Sequence, residues 1–267
     1  MHLDWQSVGE QMQPFFVVLA RDSKHVIEKI RELENLGFSY LIVCGENLNL
    51  PNVAFRAAKG KYDAINFAAQ NLPRDAKIIA FNDVDTRIYN IEAALHDFRQ
   101  TRASLLFAKL WVKEGPQVFL NALLDSLKKR ILVTASGELM IVRRDILDKI
   151  LPLEPCKAED TYILFKTLEH RGKVVFCEKC YLETQRTINA QKEESYKRKT
   201  ITGIYQALSY AKVSFGIKLF YVLLPFMSPV LLILGKKGFY SMKGILLGFL
   251  DFIRGDREGF WKPTYLK

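Results

Sequence analysis

Cysteine is scarce in this chain: four in 267 residues, with no spacing that suggests a disulfide framework, which points to a reducing compartment. The one Cys-x-x-Cys, Cys177-Glu178-Lys179-Cys180, has no second pair, whereas a structural zinc site needs four ligands. It follows a predicted strand, and a redox motif usually opens a helix. Histidine is equally sparse, and His2, His25, His96 and His170 share no metal-ligand spacing. No helix-turn-helix, RNA-binding signature or paired zinc spacing is present, so nucleic acid is not an expected partner. Met1-His2-Leu3-Asp4-Trp5 lacks a basic start leading into an apolar core, so no signal peptide is expected. The uncharged run Leu219–Leu234, interrupted by Pro225 and Pro229, is short of the roughly 20 residues a full membrane span needs, and a helix that dips into the bilayer and a short span both fit it.

What is present begins with charge. A net charge of +10 and a pI near 9.3 suit an anionic partner, a phosphorylated substrate or an anionic membrane surface. The length fits one large domain, or a domain with an appendage. Phe15–Ala20, Tyr40–Cys44 and Ile78–Phe81 are short, wholly apolar runs, which read as strands buried on both faces, as in a parallel sheet. Between the first two, Val26, Ile27, Ile30, Leu33 and Leu36 recur at helical spacing and Gly37 stands where a C′ glycine belongs. This is a β-α-β unit, and ligands of such sheets bind beyond the carboxyl ends of the strands. Further helices are predicted from Lys61, over Ile91–Phe98, over Val118–Leu127, from Arg143-Arg144-Asp145 to before Pro152, and from Ala158 to Gly172. Further strands are predicted over Ser104–Leu110 and Lys173–Phe176. Thr184–Lys199 is polar, mixed in charge and without a core-forming face, and reads as a mobile segment.

The third apolar run ends in Asn82-Asp83-Val84-Asp85. Aspartate is a poor strand residue and costly to bury unpaired. Two at the mouth of a buried strand repel unless a cation sits there. Mg²⁺ or Mn²⁺ is suited to that position, because such ions take one or two carboxylates and complete their shell with water and substrate phosphates. Taken alone, the pair also reads as a solvated turn with Asp83 capping the next helix.

The order of motifs narrows the choice. An apolar β-α-β start is followed by Lys61-Tyr62-Asp63-Ala64-Ile65-Asn66, then Asn82-Asp83-Val84-Asp85. Ser136-Gly137-Glu138 through Arg143-Arg144 comes next, and then Ala158-Glu159-Asp160-Thr161. Over roughly residues 14–205 this resembles family 2 glycosyltransferases of the GT-A fold, and the C-terminal tail resembles the membrane-associated members, cellulose-synthase-like and ceramide-glucosyltransferase-like. The resemblance implies an α/β, Rossmann-like fold over residues 1–205, with a mostly parallel sheet flanked by helices, and a C-terminal hydrophobic, membrane-associated helical segment over 206–267. It implies an inverting, metal-dependent hexosyltransferase at the cytoplasmic face of a membrane, moving a sugar from a nucleotide-sugar donor to a lipid-linked or glycan acceptor, with Mg²⁺ or Mn²⁺ as cofactor.

The implied roles follow the motifs. Asp83 and Asp85 would hold the metal, and Asp160 would be the catalytic base. Gly137 and Glu159 would lie on the acceptor side. Glu46, Lys61, Asn66 and Asp83 would bind the donor, and Lys197 and Lys199 the diphosphate. Two departures stand out. Cys44-Gly45-Glu46 replaces the acidic pair that many members use to grip the base, and Tyr196-Lys197-Arg198-Lys199-Thr200-Ile201-Thr202-Gly203 stands where Q-x-x-R-W is expected, which speaks against processive synthesis. Two rival readings are a non-catalytic membrane-bound scaffold and a sugar-phosphate nucleotidyltransferase. The second would need a glycine-rich basic loop where Ala20-Arg21-Asp22-Ser23-Lys24 stands. The basic residues Lys236, Lys237, Lys243, Arg254 and Arg257, with Trp261 and Tyr265, flank the apolar tail as headgroup-level residues would.

Overall fold

A computed structural model describes residues 13–57, 59–112, 125, 128, 131–184 and 189–256. The helix predicted over Val118–Leu127 lies outside the described residues apart from Asp125, as do Arg257, Trp261 and Tyr265.

The three apolar runs form β1 (Phe15–Ala20), β2 (Tyr40–Cys44) and β4 (Ile78–Asp83), with β3 (Val53–Phe55) at the edge. All four are parallel. Their side chains alternate between two separate cores. Val17, Val43, Ile79 and Phe81 face one, and Phe16, Val18, Ile42 and Ala80 the other. This double burial is why the runs carry no polar alternation. The second core is closed by α1 (Val26–Asn35) and α3 (Ile91–Thr101), through Val26, Leu33, Leu95 and Phe98. The first is closed by α2 (Lys61–Gln70), α4 (Arg144–Ile150) and α5 (Glu159–Glu169). Gly37 ends α1 as its sequence position suggests. Its φ is +73°, and Phe38 N–H donates to the Leu33 carbonyl at 3.1 Å, a Schellman closure.

The sheet grows to eight strands through β5 (Arg87–Tyr89), β6 (Leu105–Val112), β7 (Leu139–Arg143) and β8 (Val174–Thr184), in the order β3-β2-β1-β4-β7-β6-β8-β5. β7 runs antiparallel to both β4 and β6. That reversal brings the start of β7 to the edge where β1, β2 and β4 finish. Leu19 pairs with Asp83, Ala20 with Cys44, and Asn82 with Leu139. β8 does not end at Phe176 but continues past a register shift opposite Ala108 and Lys109. Cys177 and Cys180 therefore lie within a strand, both buried. Burial raises all four cysteine thiols, which keeps them protonated and unreactive.

Within the polar stretch read as mobile, residues from Ala190 onward are helical. They open α6 (Ala190–Tyr210), which runs unbroken through residue 205. Its docking escapes a search for apolar periodicity because small residues and paired charges do the packing. α6 lies against α8 (Gly235–Ile253). A Cβ at Gly244 would lie 2.6 Å from the Glu194 carbonyl oxygen, and one at Gly248 2.5 Å from that of Arg198. Arg198 pairs bidentately with Asp251 at 2.5 and 2.7 Å, and Lys243 with Glu194 at 3.0 Å. The apolar tail before α8 is α7 (Phe215–Met227) followed by a 3₁₀ segment, Ser228–Leu234.

Candidate active site

The carboxyl ends of β1, β2 and β4, the loop entering β7 and the start of α5 surround a cleft of about 1640 Å³. Its lining includes Asp83, Asp85, Lys61, Gly137, Glu138, Glu159, Asp160, Tyr196 and Lys199. This is the position at which open α/β sheets bind ligands, and the volume exceeds that of an ordinary small-molecule pocket.

Asp83 is the last residue of β4, and its backbone continues the sheet. Asp83 N–H donates to the Glu138 carbonyl, and Val84 N–H to that of Leu19, both at 3.3 Å. Asn82 braces the turn from below. Its amide donates to Thr86 Oγ1 at 3.0 Å and to the Glu138 carbonyl at 2.5 Å. The Asp83 side chain points into the cleft, where Lys61 Nζ donates to both of its oxygens at 2.7 Å. Lys61 comes from the first turn of α2 and lies 3.6 Å from Glu159 Oε1 as well. Asp85 follows on the turn and is exposed.

The electrostatics are one-sided. Burial pushes Asp83 up to about 6, against the pull of Lys61, and Asp85 and Glu138 push the same way. Burial also raises Glu159, again against Lys61, with Asp160 adding to the rise. Asp160 is raised by burial, and Glu138 adds to it. Burial would lower Lys61, but Asp83 and Glu159 outweigh it and hold the ammonium firmly charged. One ammonium thus faces several carboxylates that lift one another's proton affinity. A divalent cation bound by two carboxylates and a diphosphate relieves such a surplus. Among the described residues no three His, Cys, Asp or Glu side chains form a metal cage. Asp83 and Asp85 both line the cleft, where they could supply two carboxylate ligands.

Asp160 sits in the first turn of α5, its Oδ1 accepting from the Thr161 N–H at 2.6 Å. Gly137 is packed against it. A Cβ there would lie 3.1 Å from both Asp160 Cβ and Oδ2, so a larger residue requires the Asp160 side chain to give by a few tenths of an ångström. Glu159, in the same turn, is buried beside Lys61.

Other predicted residues lie elsewhere. Asn66 faces the protein, exchanging two hydrogen bonds with the backbone of Leu153 at 2.7 and 3.0 Å. The Glu46 carboxylate accepts from Ser23 N–H at 3.0 Å, at the rim. Lys197 is turned toward Glu193, 3.7 Å away, and toward the Tyr196 ring, and does not line the cleft. Lys199 does, beside Thr200, and burial followed by Lys157 lowers its proton affinity. Arg143 and Arg144 are engaged by Asp145 and Asp148.

Three contributors were not read from the sequence. Lys29 of α1 is fully buried. Its ammonium meets Glu32 at 2.6 Å and donates to the Thr86 carbonyl, while Glu32 accepts from Ile88 N–H at 2.8 Å. The carboxylate turn is thereby tied to α1. Glu138 adds a buried carboxylate. Gly203 of α6 presses on the peptide preceding α5, where a Cβ would lie 2.5 Å from Ala158 N. Glu138, next to Gly137, and Gly203, at the end of the stretch 196–203, both stood in stretches the motifs marked; Lys29 did not.

No family model matches the sequence, and no curated protein matches it. Among solved structures, a mannosyltransferase from Pyrobaculum calidifontis in complex with GDP-Man and Mn²⁺ is similar over 92% of this chain and 89% of that chain, with a TM-score of 0.66 and 9% identity. Lower scores relate the chain to A197 from STIV (TM-score 0.43, 13% identity, 64% of this chain and 84% of that one). A Drosophila β1,4-galactosyltransferase 7 mutant with manganese, UDP-Gal and xylobiose scores 0.38 at 15% identity, over 61% of this chain and 65% of that one. At 9% identity the first likeness is one of fold: the chain has a GT-A type α/β architecture with a C-terminal apolar helical segment.

Proposed function

We propose that the protein is a metal-dependent glycosyltransferase that moves a sugar from a nucleotide-sugar donor to an acceptor hydroxyl or lipid phosphate, with inversion at the anomeric carbon. The observation that carries this reading is the meeting of Asp83, Asp85, Lys61, Glu159 and Asp160 in one cleft at the strand ends of a GT-A sheet. The mannosyltransferase it resembles in fold was solved with GDP-Man and Mn²⁺, which supports the donor class.

Asp83 and Asp85 would hold Mg²⁺ or Mn²⁺, which when bound neutralises charge on the departing diphosphate. The protein's own residues do the rest. Lys61 holds Asp83 in place and offers positive charge at the cleft floor. Asp160 accepts the acceptor proton, and its raised proton affinity brings it nearer the working range of a general base. Gly137 leaves the space beside that carboxylate open on the acceptor side. Lys199 supplies charge near the donor diphosphate.

The tail favours an acceptor that is lipid-linked or close to a membrane surface, reached from the cytoplasmic face. Under this reading residues 1–205 form the catalytic unit and 206–267 the membrane-associated segment. The family 2 assignment rests on the motif order described above. The test is a screen of nucleotide sugars for turnover with Mn²⁺ and with EDTA, with and without membrane lipid extract. Turnover that survives EDTA would remove the metal from the reading. The alternative of a non-catalytic scaffold predicts no calorimetric binding of any nucleoside diphosphate with Mn²⁺.

A further inference from the structure

α7 has two unequal sides. Ile217, Tyr221 and Pro225 face the protein, and Tyr221 Oη donates to the Val133 carbonyl at 2.5 Å. The rest of the helix and the 3₁₀ segment after it present large apolar side chains to solvent: Phe215, Val222, Phe226, Met227, Val230 and Ile233. Phe226 is 76% exposed and Ile233 85%. A contiguous apolar face of this kind marks an interaction site.

Charge around the face is of one sign. Between Glu194 and Asp251 the sequence has eight basic residues and no acidic one. Lys212 and Lys218 stand at the start of α7, and Lys236 and Lys237 at the start of α8, all exposed. The uncharged stretch between Lys218 and Lys236 is the apolar face itself. Cations at both margins of an apolar wedge match an anionic lipid surface. A protein groove would more often offer counter-charges of both signs.

The geometry limits the depth. α7 alone has 13 residues, about 20 Å at 1.5 Å per residue, and falls short of a hydrocarbon core of about 30 Å. The whole run Phe215–Ile253 is long and apolar enough to cross a membrane, so it is the packing of its far end that limits the depth. The chain folds back after the 3₁₀ segment. Gly235 takes a φ of +63°, and Gly238 lies so close to the Leu231 carbonyl that any Cβ would collide with it. α8 cannot complete a span, because its second half is fastened to the charged helix α6 through Gly244, Gly248 and the Arg198–Asp251 pair. α6 in turn contributes Lys199 to the cleft, which must remain in water.

We propose that α7 and the 3₁₀ segment insert into one leaflet of an anionic bilayer, with the lysines at headgroup level and both flanking ends on the same side. This builds on the membrane-proximal part of the reading above, but vesicle binding needs no nucleotide. Its failure is therefore separate from a failure of donor binding, which is scored by its own titration.

The test uses the full chain and preformed phosphatidylcholine vesicles with and without phosphatidylglycerol. Flotation with phosphatidylglycerol should exceed that without it by at least roughly tenfold. Phe226→Asp/Ile233→Asp should lower it by at least roughly tenfold with unchanged thermal unfolding, since both side chains are exposed. Lys236→Gln/Lys237→Gln should weaken binding to the anionic vesicles only. The four native cysteines are buried, so Lys212→Cys and Arg254→Cys can each carry a single nitrobenzoxadiazole label. Both labels should be bleached by dithionite added outside. Protection of the Arg254→Cys label would mean a span and overturn the proposal. So would equal binding to neutral vesicles. Dimerisation abolished by Phe226→Asp/Ile233→Asp, without vesicle binding, would assign the face to a second copy.

Discussion

The cleft and the α6–α8 contact use the same residue types in opposite ways. Where α6 meets α8, Arg198 is paired with Asp251 and Lys243 with Glu194, and nearby Lys157 meets Asp256 at 2.6 Å. Around Lys61 the charges do not cancel, and Asp83, Glu138, Glu159 and Asp160 share its field. The balanced set lies at the margin of a packed contact, where ion pairs contribute little and tolerate loss. The unbalanced set is desolvated and stores a demand for positive charge. In an enzyme that demand is met by substrate and metal, and an arrangement that is costly at rest becomes favourable once loaded.

The contrast is broken most severely at Asp160. Asp160→Asn keeps the shape and removes the base, so turnover should fall by about 10²–10⁴-fold, with nucleotide-sugar affinity by calorimetry near wild type. Equal loss of donor binding would show instead that Asp160 is part of the donor site.

Lys61→Met removes the cation that donates to Asp83 and lies beside Glu159. Chemical denaturation at pH 8 should show a loss of roughly 3 kcal/mol, because buried carboxylates are left unpaired, and Mn²⁺ should recover part of it. Stability indifferent to both changes would mean that the surplus charge is solvated.

The next effect is pH-dependent. Asp83 titrates near 6 in the folded protein, against about 4 in an unfolded chain. The folded state therefore holds more protons across that interval. The stability from this group is complete below about pH 4 and lost as the pH rises through about 6. Thermal unfolding at pH 5 and pH 8 should show the lower midpoint at pH 8, with the gap narrowed by Mn²⁺.

The smallest effect belongs to the balanced region. The Arg198 side chain is 45% exposed, so Arg198→Ala should cost under about 1 kcal/mol by denaturation. A cost as large as that of Lys61→Met would erase the distinction between the two regions.

Much of this was legible in the chain. The double-sided burial of β1, β2 and β4 is written in their unbroken apolar runs, and Asp83 announces itself because an aspartate ending such a run needs a reason. Asp160 could be placed at a helix start from its neighbours. Other features left no local mark. An apolar strand such as β7 has the same composition in either direction, so the reversal that delivers Gly137 to Asp160 was invisible. Lys29 and Glu32 look like any surface pair one helical turn apart, and only the folded position of Thr86 shows what Lys29 holds. Asn66 matched a donor-site pattern, yet Leu153, 87 residues away, takes both ends of its amide. Thr184–Lys199 lacked an apolar stripe because glycines on the partner helix provide the closeness that large side chains usually provide.

Gly203 carries one further consequence. The first turn of a helix is ordinarily where amides open and exchange soonest. The turn that carries Asp160 begins at Ala158, whose backbone nitrogen lies against Gly203, while the preceding Lys157 N–H donates to Gln206 at 3.0 Å. That turn can fray only if α6 lifts, and α6 is fastened to α8, whose neighbour α7 carries the apolar face. Asp160 stands at one end of a lever and the exposed apolar face at the other. Deuterium uptake by the amides of Glu159–Tyr162 is therefore a remote gauge of how firmly the distant end is seated.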